Sequence, residues 1–171
     1  FDLPARELVD FQEYTLNPPR NDANGLRSAS IITSRGCPYD CGFCSVHPVC
    51  GYKWRPLSSQ KVLYEIQYLI ENYHVNNIQI EDDNFTINPS RAEEILKGII
   101  ELNKHKTKIS WQASNGLRID TLNKNLIRLI SESNCRYISI ALEHGSKEML
   151  EIMNKKLSLT KVWEVVQLLA K

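Results

Sequence analysis

Three cysteines, Cys37, Cys41 and Cys44, lie within eight consecutive residues of this 171-residue sequence. Their C-x3-C-x2-C spacing follows an apolar, strand-like run at residues 29–32. Three thiolates on one short loop can bind three of the four irons of a cubane iron-sulfur cluster, which leaves the fourth iron without a protein ligand. The triplet therefore predicts a 4Fe-4S cluster with one iron open to a small ligand.

A structural zinc site is the alternative use of the same thiols. Cys50 follows the triplet closely and would complete the closed, four-coordinate geometry that structural zinc prefers. Disulfides are disfavoured, because the five cysteines are an odd number and three of them are clustered. Cys135 lies apart from the others and is expected to be a small, buried apolar residue.

The composition limits the classes of partner. The chain is 42% apolar and 24% charged, with a net charge of +1. Such a balance gives no electrostatic reason to expect nucleic acid or an anionic membrane as a partner. No apolar stretch approaches the roughly 18 residues of a membrane-spanning helix, and no signal-peptide pattern opens the chain. We therefore expect a cytoplasmic protein without a membrane partner.

Four strand-like segments alternate with amphipathic helical segments. The predicted strands are residues 28–34, 77–81, 108–113 and 136–142. Repeated βαβ units of this kind imply a parallel sheet with right-handed crossovers. A complete eight-unit barrel takes about 250 residues. The expected fold class is therefore α/β, a partial (βα) barrel truncated to about four or five units.

Residues that favour helix N-termini precede each amphipathic segment. The expected caps or first residues are Ser58 or Ser59, Asn88 with Pro89, Thr121, Ser146 and Thr160. In the last helix, the apolar residues Val162, Val165, Val166 and Leu169 recur at helical spacing and are expected to face inward.

Two domain-level regions are expected. Residues 1–27 contain three prolines and no sustained periodicity, which predicts an extended lead-in with a helical turn near residues 8–11. Residues 28–171 form the core domain, which we expect to be a piece of a longer protein. The fourth strand would then have an unpaired edge, through which we expect the piece to dimerise.

Polar residues follow each predicted strand. After the first come the three cysteines, and the later sets are Asp82 and Asp83, then Ser114, Asn115 and Arg118, then Glu143, His144 and Gly145. In barrels and open parallel sheets, ligands bind beyond the carboxyl ends of the strands. All four sets are therefore expected on one rim.

The sequence resembles the radical S-adenosylmethionine (radical SAM) superfamily. The resemblance is carried by the cysteine triplet with Phe43 before its third cysteine, and by the stretches at residues 51–55, 82–86 and 143–146. It is most similar to the branch whose members often have a cobalamin-binding domain upstream, where phrases such as Ser-Arg-Gly-Cys-Pro and Asp-Asp-Asn-Phe are common.

The resemblance implies a six-unit partial barrel and two cofactors, a 4Fe-4S cluster and S-adenosylmethionine. A low-potential electron donor would reduce the cluster, and S-adenosylmethionine would be cleaved to methionine and a 5′-deoxyadenosyl radical. Cobalamin would bind, if used, on an upstream domain that this chain lacks. The implied reaction is modification of a small or otherwise unknown substrate, with methyl transfer favoured and methylthiolation as an alternative.

The resemblance also implies roles for rim residues. Phe43 would pack on the adenine of S-adenosylmethionine, and Asp82 or Asp83 would accept its ammonium group. The alternative for the two aspartates is support of the turn into the next helix.

Arg118 suits either the methionine carboxylate or a neighbouring structural acid. Glu143 and Gly145 match a family stretch near the ribose and methionine, although His144 departs from the usual serine. Glu143 is alternatively a buried ion-pair partner of Arg118. Ser114 lies on the same expected rim and completes the cofactor-binding set.

Overall fold

A computed structural model describes residues 3–16, 26–104 and 108–170 of the chain. These ranges contain short 3-10 turns at Arg6–Leu8 and Ile119–Thr121 in addition to the regular elements. In chain order the regular elements are α1 (Phe11–Leu16), β1 (Ser28–Ile31), β2 (Ser34–Arg35), α2 (Val46–Cys50), β3 (Arg55–Pro56), α3 (Ser59–Tyr73), β4 (Asn77–Ile80), α4 (Pro89–Asn103), β5 (Ser110–Leu117), α5 (Lys124–Glu132), β6 (Cys135–Ile140), α6 (Lys147–Ile152) and α7 (Leu159–Leu169).

The main sheet contains four parallel strands in the order β1-β4-β5-β6. Ser28 pairs with Asn77, and Asn77 pairs with Ser110, so the first three strands begin at the same level. The short strands β2 and β3 form a separate antiparallel pair. Helices α3, α4 and α5 lie in the connections between successive strands of the main sheet. This arrangement confirms the predicted α/β class with a parallel sheet.

The two faces of the main sheet differ in chemistry, since alternate residues of a strand point to opposite faces. One face packs with α3, α4 and α5 in a single buried apolar cluster. Its strand residues include Ala29, Ile31, Ile78, Ile80 and Trp111. On the other face, the Asn77 amide donates to Ser28 Oγ and accepts from Ser110 Oγ, both at 2.9 Å.

Side-chain caps begin three of the helices as the sequence predicts. The Ser58 side chain accepts a hydrogen bond from Lys61 N, which decides between the two serines proposed for α3. Asn88 caps α4 with Pro89 in its first turn, and Ser146 caps α6. These polar caps satisfy N–H groups that a helix leaves without partners at its start.

Two predicted helix starts are wrong. Thr121 lies in a 3-10 turn, and α5 begins three residues later with Asn123 as its cap. Ser158 caps the last helix instead of Thr160. In that helix Val162 and Val165 are buried as expected. Val166 and Leu169, however, are 42% and 39% exposed. None of the helices in the described ranges is both long enough and apolar enough to span a bilayer.

The predicted strand boundaries also need correction. The first strand ends at Ile31, because Ser34 and Arg35 turn away to pair with β3. β5 continues four residues beyond the predicted end, with an irregular register between Ala113 and Leu117. Ser114 and Asn115 therefore lie inside this strand. β6 is shifted toward the N-terminus, to Cys135–Ile140.

The described part of the lead-in packs against the main sheet and is more helical than predicted. The turn expected at residues 8–11 falls instead at the junction of a 3-10 turn and α1. Arg6 is 6% exposed and forms a 2.6 Å ion pair with Glu65 of α3. The remaining lead-in residues, 17–25, lie outside the described ranges.

Candidate functional site

The three cysteines lie in the loop between β2 and α2, each half-buried as a free thiol. Cys44 N donates to the Cys41 carbonyl at 3.0 Å, which folds the loop back on itself. Burial raises the pKa of Cys37, and the charges of Cys44 and Cys41 raise it further. Both effects follow from the half-buried position of Cys37 beside the other two thiols.

The three clustered thiols suit a cubane cluster, which takes three protein thiolates and leaves one iron open. In the described ranges, no group of three His, Cys, Asp or Glu side chains converges on one metal ion. Thiolates that hold a cubane bind three different irons, so they need to share a loop without meeting at one point. Three adjacent thiols on one loop meet that requirement.

Gly36 sets the entry to the cysteine loop. Its φ of 83° is in the left-handed region, and a Cβ there would collide with the Lys53 carbonyl oxygen and lie 3.0 Å from that of Gly51. Gly36 N donates to Asp83 Oδ2 at 3.0 Å. This hydrogen bond links the cysteine loop to the segment that follows β4, as expected if the residues beyond the strand ends lie on one rim.

Asp82 is enclosed by the segment before the cysteine loop and is 3% exposed. Its carboxylate accepts from Thr33 N at 2.5 Å, and from Thr33 Oγ1 and Ser34 Oγ at 2.6 Å each. Burial raises the pKa of Asp82, although the hydrogen bonds from Ser34 and Thr33 oppose this shift. Both oxygens of Asp82 are therefore used in supporting the β1–β2 connection.

A buried polar chain joins the loops that follow β4 and β5. Asn84 Oδ1 accepts from Thr86 N at 3.2 Å, and the Thr86 hydroxyl lies 2.6 Å from that of Thr121. Thr121 in turn donates to the Arg118 carbonyl at 2.6 Å. This chain was not predicted from the sequence. It fixes the backbone from which the Arg118 side chain extends.

Arg118 contacts both a structural acid and the cysteine loop. Its Nε and Nη2 donate to Asp120 at 3.0 and 2.9 Å. Its Nη1 lies 3.7 Å from Cys41 Sγ, and its guanidinium carbon lies 3.8 Å from the Tyr39 ring centroid. The alternative that Arg118 pairs with Glu143 is wrong, because its acidic partner is Asp120.

Glu143 pairs instead with Lys155, at 2.8 Å. Lys155 is 4% exposed, and its ammonium lies 5.7 Å from the Phe43 ring centroid. Glu143 has a φ of 69°, an uncommon value for a residue with a side chain. Lys155 was not identified from the sequence, because nothing in its spacing relates it to the cysteines.

The segment after α6 covers the cysteine loop. Gly42 N donates to the Met153 carbonyl at 2.9 Å, and the Asn154 amide donates to the Asp40 carbonyl at 2.5 Å. Asn154 and Lys156 have positive φ values of 51° and 23°. An asparagine just beyond the end of a helix weakly predicts such a turn. This is the one sequence feature that could have indicated the contact.

The other residues predicted for the site make fewer contacts with its neighbouring residues. Phe43 lies in the cysteine loop with half of its side chain exposed. Ser114 is half-buried, and no side-chain hydrogen bond ties it to the described residues. His144 is exposed and accepts from Ser146 N at 2.9 Å, which makes it part of the turn into α6. At the rim, the cysteine loop therefore lies close to Asp83, Arg118 and the Glu143–Lys155 pair.

The sequence model of the radical SAM superfamily matches residues 31–171. The chain belongs to the radical SAM superfamily. An uncharacterized methyltransferase of Pyrococcus horikoshii is 31% identical over 153 residues, which are 90% of this chain and 31% of that protein. A hopanoid C-3 methylase of Methylococcus capsulatus is 29% identical, over 96% of this chain and 30% of its own length.

Cytidylyl-2-hydroxyethylphosphonate methyltransferase of Streptomyces wedmorensis is 28% identical over 84% of this radical SAM chain. The chain spans between 26% and 31% of the length of these three curated relatives. It therefore corresponds to one part of each.

Two solved structures share the fold of this radical SAM chain. The radical S-adenosylmethionine methyltransferase TsrM from Kitasatospora setae superposes with a TM-score of 0.71 at 17% identity, over 82% of this chain and 28% of that one. The cobalamin-dependent S-adenosylmethionine radical enzyme OxsB gives 0.65 at 22% identity, over 82% and 22%. At these identities the likeness shows the fold alone.

Proposed function

We propose that this chain is the catalytic core of a radical SAM enzyme. Cys37, Cys41 and Cys44 would hold a 4Fe-4S cluster whose open iron binds S-adenosylmethionine. When bound and reduced, this cluster supplies the electron that cleaves S-adenosylmethionine to methionine and a 5′-deoxyadenosyl radical. The observation that carries the proposal is the three-thiol loop at the carboxyl end of a parallel sheet, in a chain of this superfamily.

Asp83, rather than Asp82, is proposed to accept the ammonium group of S-adenosylmethionine. Asp82 is buried with three hydrogen bonds, whereas Asp83 is half-buried and receives one hydrogen bond, from Gly36 N. No described residue donates to the second carboxylate oxygen of Asp83, which we propose as the ligand's acceptor. A charge-assisted hydrogen bond from an ammonium group to this oxygen would orient the ligand beside the cysteine loop.

Phe43, Glu143 and Ser114 are proposed to complete the binding surface. The exposed half of the Phe43 ring offers a flat apolar face to an adenine. Glu143 is 32% exposed beyond its contact with Lys155, so a carboxylate oxygen can accept from a ligand hydroxyl. Ser114 lies inside β5 and offers a hydroxyl without a competing partner in the described residues.

Methyl transfer is the reaction that the relatives favour for the whole protein. Three relatives are named as methyltransferases or methylases. The TsrM structure is described with cobalamin and a [4Fe-4S] cluster bound. We propose that cobalamin, if this protein uses it, binds on a part of the protein upstream of this chain. The substrate would then be a small molecule presented across the rim.

Two further proposals concern partners. Reduction of the cluster needs a low-potential electron donor, which would act in the cytoplasm. β6 pairs with β5 on one side, and its Tyr137 is 50% exposed, so the opposite edge is open in the described chain. We propose that the 171-residue chain alone self-associates through this edge. Light scattering after size exclusion tests this, and a monomer at micromolar concentration would contradict it.

Anaerobic reconstitution with iron and sulfide tests the proposed function. The protein should take up four irons and four sulfides in a 4Fe-4S cluster, turn brown, and release methionine and 5′-deoxyadenosine from S-adenosylmethionine under strong reduction. Cys37→Ala, Cys41→Ala and Cys44→Ala should each abolish cluster uptake.

Cys50→Ala is the matched control, because Cys50 is an equally half-buried cysteine nearby that the proposal does not use. It should retain the cluster. Equal loss of metal from Cys50→Ala and Cys37→Ala would identify a closed four-cysteine site and overturn the proposal.

A further inference from the structure

Arg118 places a buried positive charge against the cysteine loop. Its side chain is 7% exposed, and its Nη1 lies 3.7 Å from Cys41 Sγ, within reach of an N–H···S hydrogen bond. The guanidinium also stacks on Tyr39, with its central carbon 3.8 Å from the ring centroid. The same loop is therefore contacted twice, once at a candidate ligand sulfur and once at the ring two residues after Cys37.

The rest of the guanidinium is already used by the protein. Nε and Nη2 bind the two oxygens of Asp120, and Nη2 also lies 3.5 Å from the Lys155 carbonyl. Asp120 occupies the Nε–Nη2 edge of the guanidinium, one of the edges through which an arginine binds a carboxylate in bidentate fashion. What Arg118 offers to the site is its remaining amino group, Nη1, which lies next to Cys41 Sγ.

We infer that Arg118 is a positioning residue that raises the reduction potential of the cluster through Cys41. This inference rests on the proposed function. Hydrogen bonds to the sulfurs and the charge around an iron-sulfur cluster set its potential. Reduction makes the cluster more negative, so a fixed cation at this distance stabilises the reduced form more than the oxidised form. Asp120, which shares the guanidinium, opposes part of this effect.

The test is a redox titration followed by electron paramagnetic resonance, on the full-length protein reconstituted without S-adenosylmethionine. Arg118→Gln should keep its iron content but shift the midpoint to more negative potential. We expect about a tenfold fall in the reduction equilibrium constant, which is about 59 mV for one electron. Asp120→Asn should shift the midpoint the opposite way, because it removes the opposing charge and keeps the side-chain shape.

Arg128→Gln is the matched control. Arg128 is an exposed arginine of α5 that also pairs with an acid, Glu132, and among the described residues it contacts no cysteine. Its substitution removes the same charge from the chain and should leave the midpoint unchanged. A shift in this control equal to that of Arg118→Gln would mean that net charge, rather than the Cys41 contact, is responsible and would overturn the inference.

The outcomes separate this inference from the proposed function. If the unchanged protein takes up no cluster, the proposed function fails and the inference fails with it. If Arg118→Gln loads a cluster whose midpoint is unchanged, the inference alone is overturned, even where binding of S-adenosylmethionine weakens. If Arg118→Gln cannot load a cluster, Asp120→Asn decides: a less negative midpoint supports the inference, and no shift or the opposite shift overturns it.

Discussion

The helix-covered body of the sheet and the loops at its carboxyl end are stabilised by different interactions. The body packs apolar side chains such as Ile78, Leu96 and Ile99, each fully buried. The loops are held by short polar contacts, such as those of Asp82, and by the partly exposed Glu143–Lys155 pair. The stability of the body and the geometry of the loops therefore depend on largely separate residues.

The contrast has a physical basis. Apolar burial stabilises the fold without regard to direction, so a cavity anywhere in the body weakens the whole domain. A loop held by hydrogen bonds depends on direction and can be distorted locally while the body stays folded. Substitutions in the two regions should therefore change different measured quantities.

Leu96→Ala in the body is expected to have the largest effect on stability. Leu96 is fully buried on α4, so its truncation should lower the free energy of unfolding by about 3 kcal/mol. Cluster content per folded molecule should not change. Urea denaturation and iron analysis measure the two quantities. Lys97→Ala, an exposed neighbour on the same helix, should change the free energy by less than about 0.5 kcal/mol. Loss of iron per folded molecule in Leu96→Ala would contradict the separation between the body and the loops.

Gly36→Ala should have the opposite profile. The new Cβ would collide with the Lys53 carbonyl in a left-handed backbone conformation, and we expect the loop to relieve this strain of about 2 kcal/mol locally by displacing the adjoining cysteine. Iron uptake should fall at least several-fold while the melting of the body changes little.

Gly51→Ala is the control for this test. Gly51 has a similar φ of 75°, but nothing lies within 4 Å of its added Cβ. It should therefore show the backbone strain alone, about 1 kcal/mol, with most of its iron retained. Equal iron loss in the two variants would show that strain, rather than the collision beside Cys37, controls the loop.

Most of the body could be predicted from the sequence. Apolar residues at helical spacing and the Asn88–Pro89 start of α4 are local signals, and they placed the parallel sheet correctly. Errors arose where tertiary contacts override local pattern. The irregular pairing of β5 with β6 extends β5 past Ser114, and β3 draws Ser34 away from β1.

The candidate site was predicted by chain position but not by contact. The expectation that residues after each strand meet on one rim follows from topology, and Asp83 and Arg118 do contact the cysteine loop. The partners of Arg118 and Glu143 could not be predicted, because Asp120 and Lys155 approach through loop conformation rather than through periodic spacing. The binding roles proposed for these residues remain predictions.

Asp82 lies where the two regions meet, and Asp82→Asn should lower the free energy of unfolding at neutral pH by about 1 kcal/mol, less than Leu96→Ala does. Burial raises its pKa more than the hydrogen bonds from Ser34 and Thr33 lower it. A raised pKa means that the folded state binds the proton of Asp82 more tightly than the unfolded state does. The contribution of this proton to the free energy of unfolding is therefore present below the unfolded pKa and lost as pH rises through the folded pKa. The stability of the unchanged protein relative to Asp82→Asn should therefore decrease from acidic to neutral pH. Urea denaturation across that range measures it, and a difference that rises with pH would show that the hydrogen bonds dominate.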